Sequence, residues 1–134
     1  MTPVNIDKLP VKSSGDILLI RQTVRSKAVE LGFSLVDQTK IITAASELAR
    51  NTVDYGGGGV CTIEVLPEGG RKGLRLSFED QGPGIPDIQL ALKDGYTTGG
   101  GLGLGLSGAK RLMNDFQITS KVGEGTKVII TRWK

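Results

Sequence analysis

The residues of this chain best suited to chemistry are two acids, one amide and a run of glycines, and their spacing narrows what they could do. Glu47 and Asn51 stand four positions apart in Ser46-Glu47-Leu48-Ala49-Arg50-Asn51, so on a helix both side chains leave the same face about one turn apart. Asparagine is a poor helix former, and its presence there invites a specific use. Its amide oxygen suits magnesium, a hard cation that prefers oxygen donors and commonly keeps waters and phosphate oxygens around it. Glu47 would then face the γ-phosphate end of a nucleotide, where a carboxylate orients or deprotonates an attacking hydroxyl. Taken singly, a helical glutamate reads as a solvated surface residue, so the argument rests on the pair.

A second signal is Glu79-Asp80-Gln81-Gly82-Pro83-Gly84-Ile85-Pro86, in which glycines let the backbone turn sharply and approach a ligand. An ionised Asp80 only accepts hydrogen bonds, which suits an amino group such as the exocyclic amine of adenine. Alone, the stretch reads equally as a polar turn. The third signal is Gly99 to Gly108, which includes Gly101, Gly103 and Gly105 and runs into a helix carrying Lys110 and Arg111. Free N–H groups at a helix start bind phosphate. A flexible loop is the competing reading, although Leu102, Leu104 and Leu106, interleaved with the glycines, suggest a backbone that also packs.

Other phosphate motifs fit poorly. Gly103-x-Gly105-x-x-Gly108 matches the dinucleotide fingerprint in form, with Glu124 roughly where a ribose-binding acid belongs, but the stretch before it is no strand. Ten residues follow Glu124, too few for further βαβ units. No Gly-Lys-Ser or Gly-Lys-Thr occurs, which excludes a standard P-loop. The chain has no histidine; Ser-His-Asp hydrolysis and histidine autophosphorylation are therefore excluded, and any base must be a carboxylate. The single Cys61 has no partner for a disulfide or metal site and reads as a small buried hydrophobe.

Composition sets the outer bounds. A chain of 134 residues suits one domain, expected to span 1–134. Its 38% hydrophobic and 23% charged residues are ordinary for a globular protein, and no apolar run is long enough to span a membrane. Met1 to Lys12 lacks the apolar core of a signal peptide, so a cytoplasmic location is expected. The net charge of +3 is scattered without a basic tail, which gives no indication of nucleic acid binding. Arg21, Arg25 and Lys27 share one predicted helix and read first as a solvated face.

These residues need elements to hold them. Ile17, Ile20, Val24, Ala28 and Leu31 recur every three or four positions and predict a helix over 15–31, stopped by Gly32. A second helix opens at Ser34 or Leu35 and runs out near Asp54, carrying Glu47 and Asn51. Val60–Leu66 and Leu74–Glu79 alternate as a hairpin, and Phe116–Val122 with Lys127–Trp133 form another around Gly123-Glu124-Gly125-Thr126. A helix is expected from about Leu104 to Met113, and an edge strand at Val11–Ser13. Helices and hairpins in this order, without βαβ units, predict an α+β fold: a two-layer sandwich with a mixed or mainly antiparallel sheet and helices on one face.

The three signals together resemble the nucleotide-binding domain shared by DNA gyrase, histidine kinases, MutL and the large heat-shock chaperones, a histidine-kinase-like ATPase fold. Glu47-x-x-x-Asn51 is similar to that superfamily's N box, Asp80 to Gly84 to its first glycine box, Gly101 to Gly105 to its second, and Gly125-Thr126 to its adenine-side threonine motif. Within it, Ser46–Asn51, Glu79–Pro86 and Lys110–Phe116 resemble the RsbT-type serine/threonine-protein kinases, with RsbW-type anti-sigma factors as the nearest relatives. The resemblance implies ATP and magnesium as ligands. It makes Glu47 the base, Asn51 the magnesium ligand, Asp80 the adenine acceptor, Gly82, Gly84, Gly101, Gly103 and Gly105 the loop glycines, and Thr126 a further adenine contact. The segment Ile85–Leu102 would be a minimal lid, mobile without nucleotide. Arg50 and the first helix are candidate partner surfaces.

What the resemblance implies for function is phosphorylation of a serine or threonine on a STAS-domain antagonist, in a bacterial partner-switching stress module whose freed kinase acts on a phosphatase by binding. The alternative is an anti-sigma factor that sequesters a sigma factor and is reset by phosphorylating its antagonist. A nucleotide-gated adaptor without phosphotransfer is the third reading, and the presence of Glu47 weighs against it.

Overall fold

The computed structural model describes residues 5–68, 70–92 and 106–134. Strand β1 (Asn5–Val11) leads into helices α1 (Ser14–Glu30) and α2 (Leu35–Asp54), followed by strands β2 (Gly59–Glu68) and β3 (Arg71–Asp80). A single-turn helix α3 (Ile88–Ala91), a short helix α4 (Leu106–Leu112) and strands β4 (Asp115–Lys121) and β5 (Gly125–Trp133) complete the order. The five strands form one sheet in the order β1-β2-β3-β5-β4, antiparallel throughout. Of the two sheet types expected from the sequence, the antiparallel one is present.

Local chemistry explains where the helices begin and end. The Ser13 hydroxyl accepts the Asp16 N–H at 3.2 Å and the Ser34 hydroxyl accepts the Asp37 N–H at 3.1 Å, each satisfying a donor that the first helical turn leaves open. Helix α1 stops in a Schellman motif: Phe33 N–H reaches the Ala28 carbonyl and Gly32 N–H the Val29 carbonyl, with Gly32 at φ 82°. Phe33 is buried beside this stop and ties the turn to the core. In α2 the buried residues Ile41, Ala44, Ala45, Leu48, Ala49 and Thr52 recur at helical spacing and face the sheet.

Cross-strand register turns the sheet's helix-covered face into rows. Ile63, Leu76 and Ile130 are neighbours in one row, and Cys61, Phe78 and Val128 in the next, all buried. Their burial supplies the hydrophobic stabilisation of the fold, about 1.5–3 kcal/mol for each large side chain. Cys61 fits its expected role as a core residue: it is fully buried, and desolvation pushes its thiol from 9.0 up to about 12. Arg132 clips the layers together, donating to Asp37 Oδ1 at 2.9 Å at the start of α2 and to the Leu112 carbonyl at 3.1 Å at the end of α4.

Three boundaries differ from expectation. The edge strand lies at Asn5–Val11, not Val11–Ser13, because Lys12 and Ser13 are taken up by the start of α1. Both central strands are longer than their alternating cores suggest, since pairing continues through Pro67↔Lys72 to Glu68↔Arg71. Helix α3 was not expected. Ile85 is buried, and Ile88 and Leu92 pack on the core, so this part of the expected lid is docked; residues 93–102 of it lie outside the described residues. No helix among the described residues is long and apolar enough to cross a membrane.

Candidate functional site

One row beyond Cys61, Phe78 and Val128, the same face of the sheet turns polar. Register places Gly59, Asp80, Thr126 and Ser120 side by side across β2, β3, β5 and β4. Asp80 shares the face of Leu74, Leu76 and Phe78 because strand side chains alternate with a period of two. It is a carboxylate at the end of an apolar row, only 8% exposed. Gly59 keeps this row thin: a Cβ there would lie 2.0 Å from the Glu79 carbonyl oxygen on β3 and 2.9 Å from the Thr52 side chain on α2. The end of α2 therefore closes over the row.

The resulting pocket is lined by Asn51, Thr52 and Tyr55 from α2 and its end, by Asp80, Thr126 and Ile85, and by apolar walls that include Leu48, Phe78 and Val128. It combines apolar walls with the polar groups of Asn51, Thr52, Tyr55, Asp80 and Thr126, the mixture of linings that small-molecule sites use. Asp80 Oδ1 accepts the Gly82 N–H at 2.9 Å, which turns the chain sharply after β3.

The loop after Asp80 is held on three sides. Tyr55 donates its hydroxyl to the Gly84 carbonyl at 2.8 Å, Ile85 N–H donates to Ser120 Oγ at 2.7 Å, and Gly123 N–H donates to the Pro83 carbonyl at 2.8 Å. Two of the predicted glycines are required by this packing. Gly84 has φ 77°, and a Cβ on it would lie 2.3 Å from the Lys121 carbonyl oxygen. At Gly82 a Cβ would lie 2.7 Å from the Gly56 backbone.

Asn51, Asp80 and Thr126, far apart in sequence, thus meet in one pocket, with Gly82 and Gly84 in the loop behind it. Glu47 stands one turn earlier on α2, outside the pocket lining; its side chain is 39% exposed and its Oε1 accepts from Arg50 Nη1 at 2.9 Å. Gly101, Gly103 and Gly105 lie outside the described residues. Downstream of them, α4 contributes Leu106 to the pocket and carries Lys110 and Arg111 in its last turn.

Sequence reasoning passed over Tyr55 and Ser120. A signal for Ser120 exists: with a tight turn at 122–124, a two-residue offset on each side sets it opposite Thr126. Tyr55 carried no pattern of its own, because it follows the last turn of α2 and acts on a loop twenty-nine residues away.

Comparison with known proteins agrees with this fold. The profile of the histidine kinase-, DNA gyrase B-, and HSP90-like ATPases matches residues 36–134. The chain belongs to that ATPase family. It is 50% identical over 123 residues to the serine/threonine-protein kinase RsbT of Bacillus subtilis (strain 168), covering 92% of each chain. It is 32% identical over 118 residues to an anti-sigma F factor of Clostridium acetobutylicum, covering 84% of this chain and 81% of that one. The fold matches the crystal structure of the RsbU and RsbW domains of Rv1364c from Mycobacterium tuberculosis with a TM-score of 0.65 at 20% identity; the match covers 99% of this chain and 34% of that one. Within the ATPase family, the chain is of the RsbT type: an ATP-dependent serine/threonine-protein kinase of the partner-switching class.

Proposed function

We propose that the pocket between α2 and the polar row holds the adenine of ATP, and that the γ-phosphoryl group passes to a serine or threonine of a STAS-domain antagonist near Glu47. The polar row carries this reading: Asp80 and Thr126 are neighbours at the end of an apolar slot, where a flat heterocycle with an amino group would be both buried and hydrogen-bonded. Asn51 lines the same pocket one turn from Glu47, which supports reading the phosphates as lying toward the Glu47 end of α2. Gly101, Gly103 and Gly105 are assigned to the phosphates from the sequence resemblance.

Magnesium would be held by the Asn51 amide oxygen, with phosphate oxygens and water filling the rest of its shell. The donor set fits. No group of three or more His, Cys, Asp or Glu side chains among the described residues could form a dedicated metal cage, and a metal carried on the nucleotide needs none. Its chemistry there would be neutralisation of phosphate charge.

Glu47 would act on the acceptor hydroxyl, orienting it and taking its proton as it attacks. Its half-exposed position leaves it open to a protein substrate, and Arg50 holds its carboxylate meanwhile. The output we assign is regulation of a phosphatase by binding, in the cytoplasm. Relatives named as anti-sigma F factors favour a second reading, sequestration of a sigma factor, at 32% identity against 50% for the kinase. Incubation with radiolabelled ATP, magnesium and a purified STAS-domain antagonist tests the proposal. Label on an antagonist serine or threonine is expected, and absence of both nucleotide binding and transfer sinks it.

A further inference from the structure

Among the described residues Ser120 makes three polar contacts with one oxygen atom, and their chemistry favours a direction that distances alone leave open. A serine hydroxyl has one proton and two lone pairs. The Ile85 N–H, which can only donate, fills one lone pair at 2.7 Å. The Gly125 carbonyl, which can only accept, takes the proton at 3.2 Å. Thr126 Oγ1 at 2.7 Å then donates to the remaining lone pair. This arrangement uses every capacity of the Ser120 hydroxyl. The reverse direction, Ser120 to Thr126, leaves one of its lone pairs and the Gly125 contact unused.

The consequence lies in the pocket. Thr126 has its proton committed to Ser120, so its oxygen faces the pocket as an acceptor. Its cross-strand neighbour Asp80 is an acceptor as well. At the 6-position of a purine, an amino group offers two N–H donors to these two acceptors, directly or through water. A carbonyl at that position meets the same two acceptors, and a buried acceptor left unpaired is penalised.

We propose that Ser120 is a positioning residue that sets the direction of the Thr126 hydroxyl and thereby the preference of the site for a 6-amino purine over a 6-oxo purine. This rests on the reading of the pocket as the base end of the ATP site. Removing the Ser120 hydroxyl releases the Thr126 proton, which then serves a carbonyl.

The test is calorimetric titration of the full chain with magnesium-ATP and magnesium-GTP, in wild type, Ser120→Ala, Ser120→Cys and Ser120→Thr. Wild type is expected to prefer ATP. In Ser120→Ala the ATP/GTP affinity ratio should narrow by about tenfold, the worth of one hydrogen bond made or lost. Ser120→Cys, which keeps the volume but hydrogen-bonds poorly, should shift the ratio the same way, so the test survives if the alanine variant fails to fold. Ser120→Thr keeps a hydroxyl and should restore the wild-type ratio. Equal weakening of both nucleotides would make Ser120 a mere brace for the loop and overturn the inference while leaving the pocket reading intact. A wild type that binds both nucleotides equally overturns the pocket reading, and the inference falls with it.

Discussion

The two ends of the site are built differently. At the proposed base end, Asp80, Ser120 and Thr126 sit in register on three strands, and the loop after Asp80 is tied by Tyr55, Ser120 and Gly123. At the Glu47 end, a carboxylate 39% exposed and an arginine 53% exposed share one hydrogen bond on a helix surface. Such a surface ion pair contributes little to stability. In the proposed reading the base end is preorganised before any ligand arrives, whereas the chemical end would be open to a protein substrate. Binding and chemistry should therefore separate under mutation.

Glu47→Gln gives the sharpest separation, because it keeps size and hydrogen bonding while removing the basic carboxylate. Phosphotransfer to a purified STAS-domain antagonist should fall about 10²–10⁴-fold, the usual contribution of a positioned base. ATP affinity should change by less than about threefold. Transfer at the wild-type rate in a labelled-ATP assay would end the catalytic assignment of Glu47.

Asp80→Asn attacks the opposite end. ATP affinity should drop by roughly 10–100-fold, the range for a hydrogen bond to a charged group. Discrimination against GTP should relax as well, since an asparagine amide can donate to a carbonyl. Titration with both nucleotides reads this directly, and an unchanged ATP affinity would move the adenine elsewhere.

Asn51 lies between the two ends and should show a mixed signature. Asn51→Ala is expected to weaken nucleotide binding about tenfold with magnesium present and to change it little without the metal, since one protein oxygen leaves a shell filled mainly by phosphate and water. Equal losses with and without magnesium would make Asn51 structural.

The smallest effect belongs to the scaffold behind the base end. Tyr55→Phe removes the hydrogen bond to the Gly84 carbonyl and should cost about 0.5–1.5 kcal/mol in a denaturant titration. Its effect on ATP affinity should exceed its effect on the transfer rate at saturating ATP, because the loop it holds follows Asp80 at the proposed base end.

Much of this molecule follows from the sequence. The spacing Ile41, Ala45, Leu48, Thr52 determines the buried face of α2, and with it the shared face of Glu47 and Asn51, because helical periodicity is a local property. Alternation through Leu74, Leu76 and Phe78 likewise determines that Asp80 is in phase with the core. The serine caps and the Gly32 stop are local too. Other features were set by tertiary packing alone. The meeting of Asp80 with Thr126 and Ser120 depends on β5 crossing to pair with β3, a contact between segments dozens of residues apart that no short pattern encodes. The reach of Tyr55 to Gly84, and the need for glycine against the Lys121 carbonyl, arise from the same closure. Local sequence specifies which face of an element a side chain takes, through steric and hydrogen-bonding preferences within a few residues. Which elements then become neighbours is decided by burial of the whole core, and in this kinase that choice assembles the polar row proposed as the base end of the site.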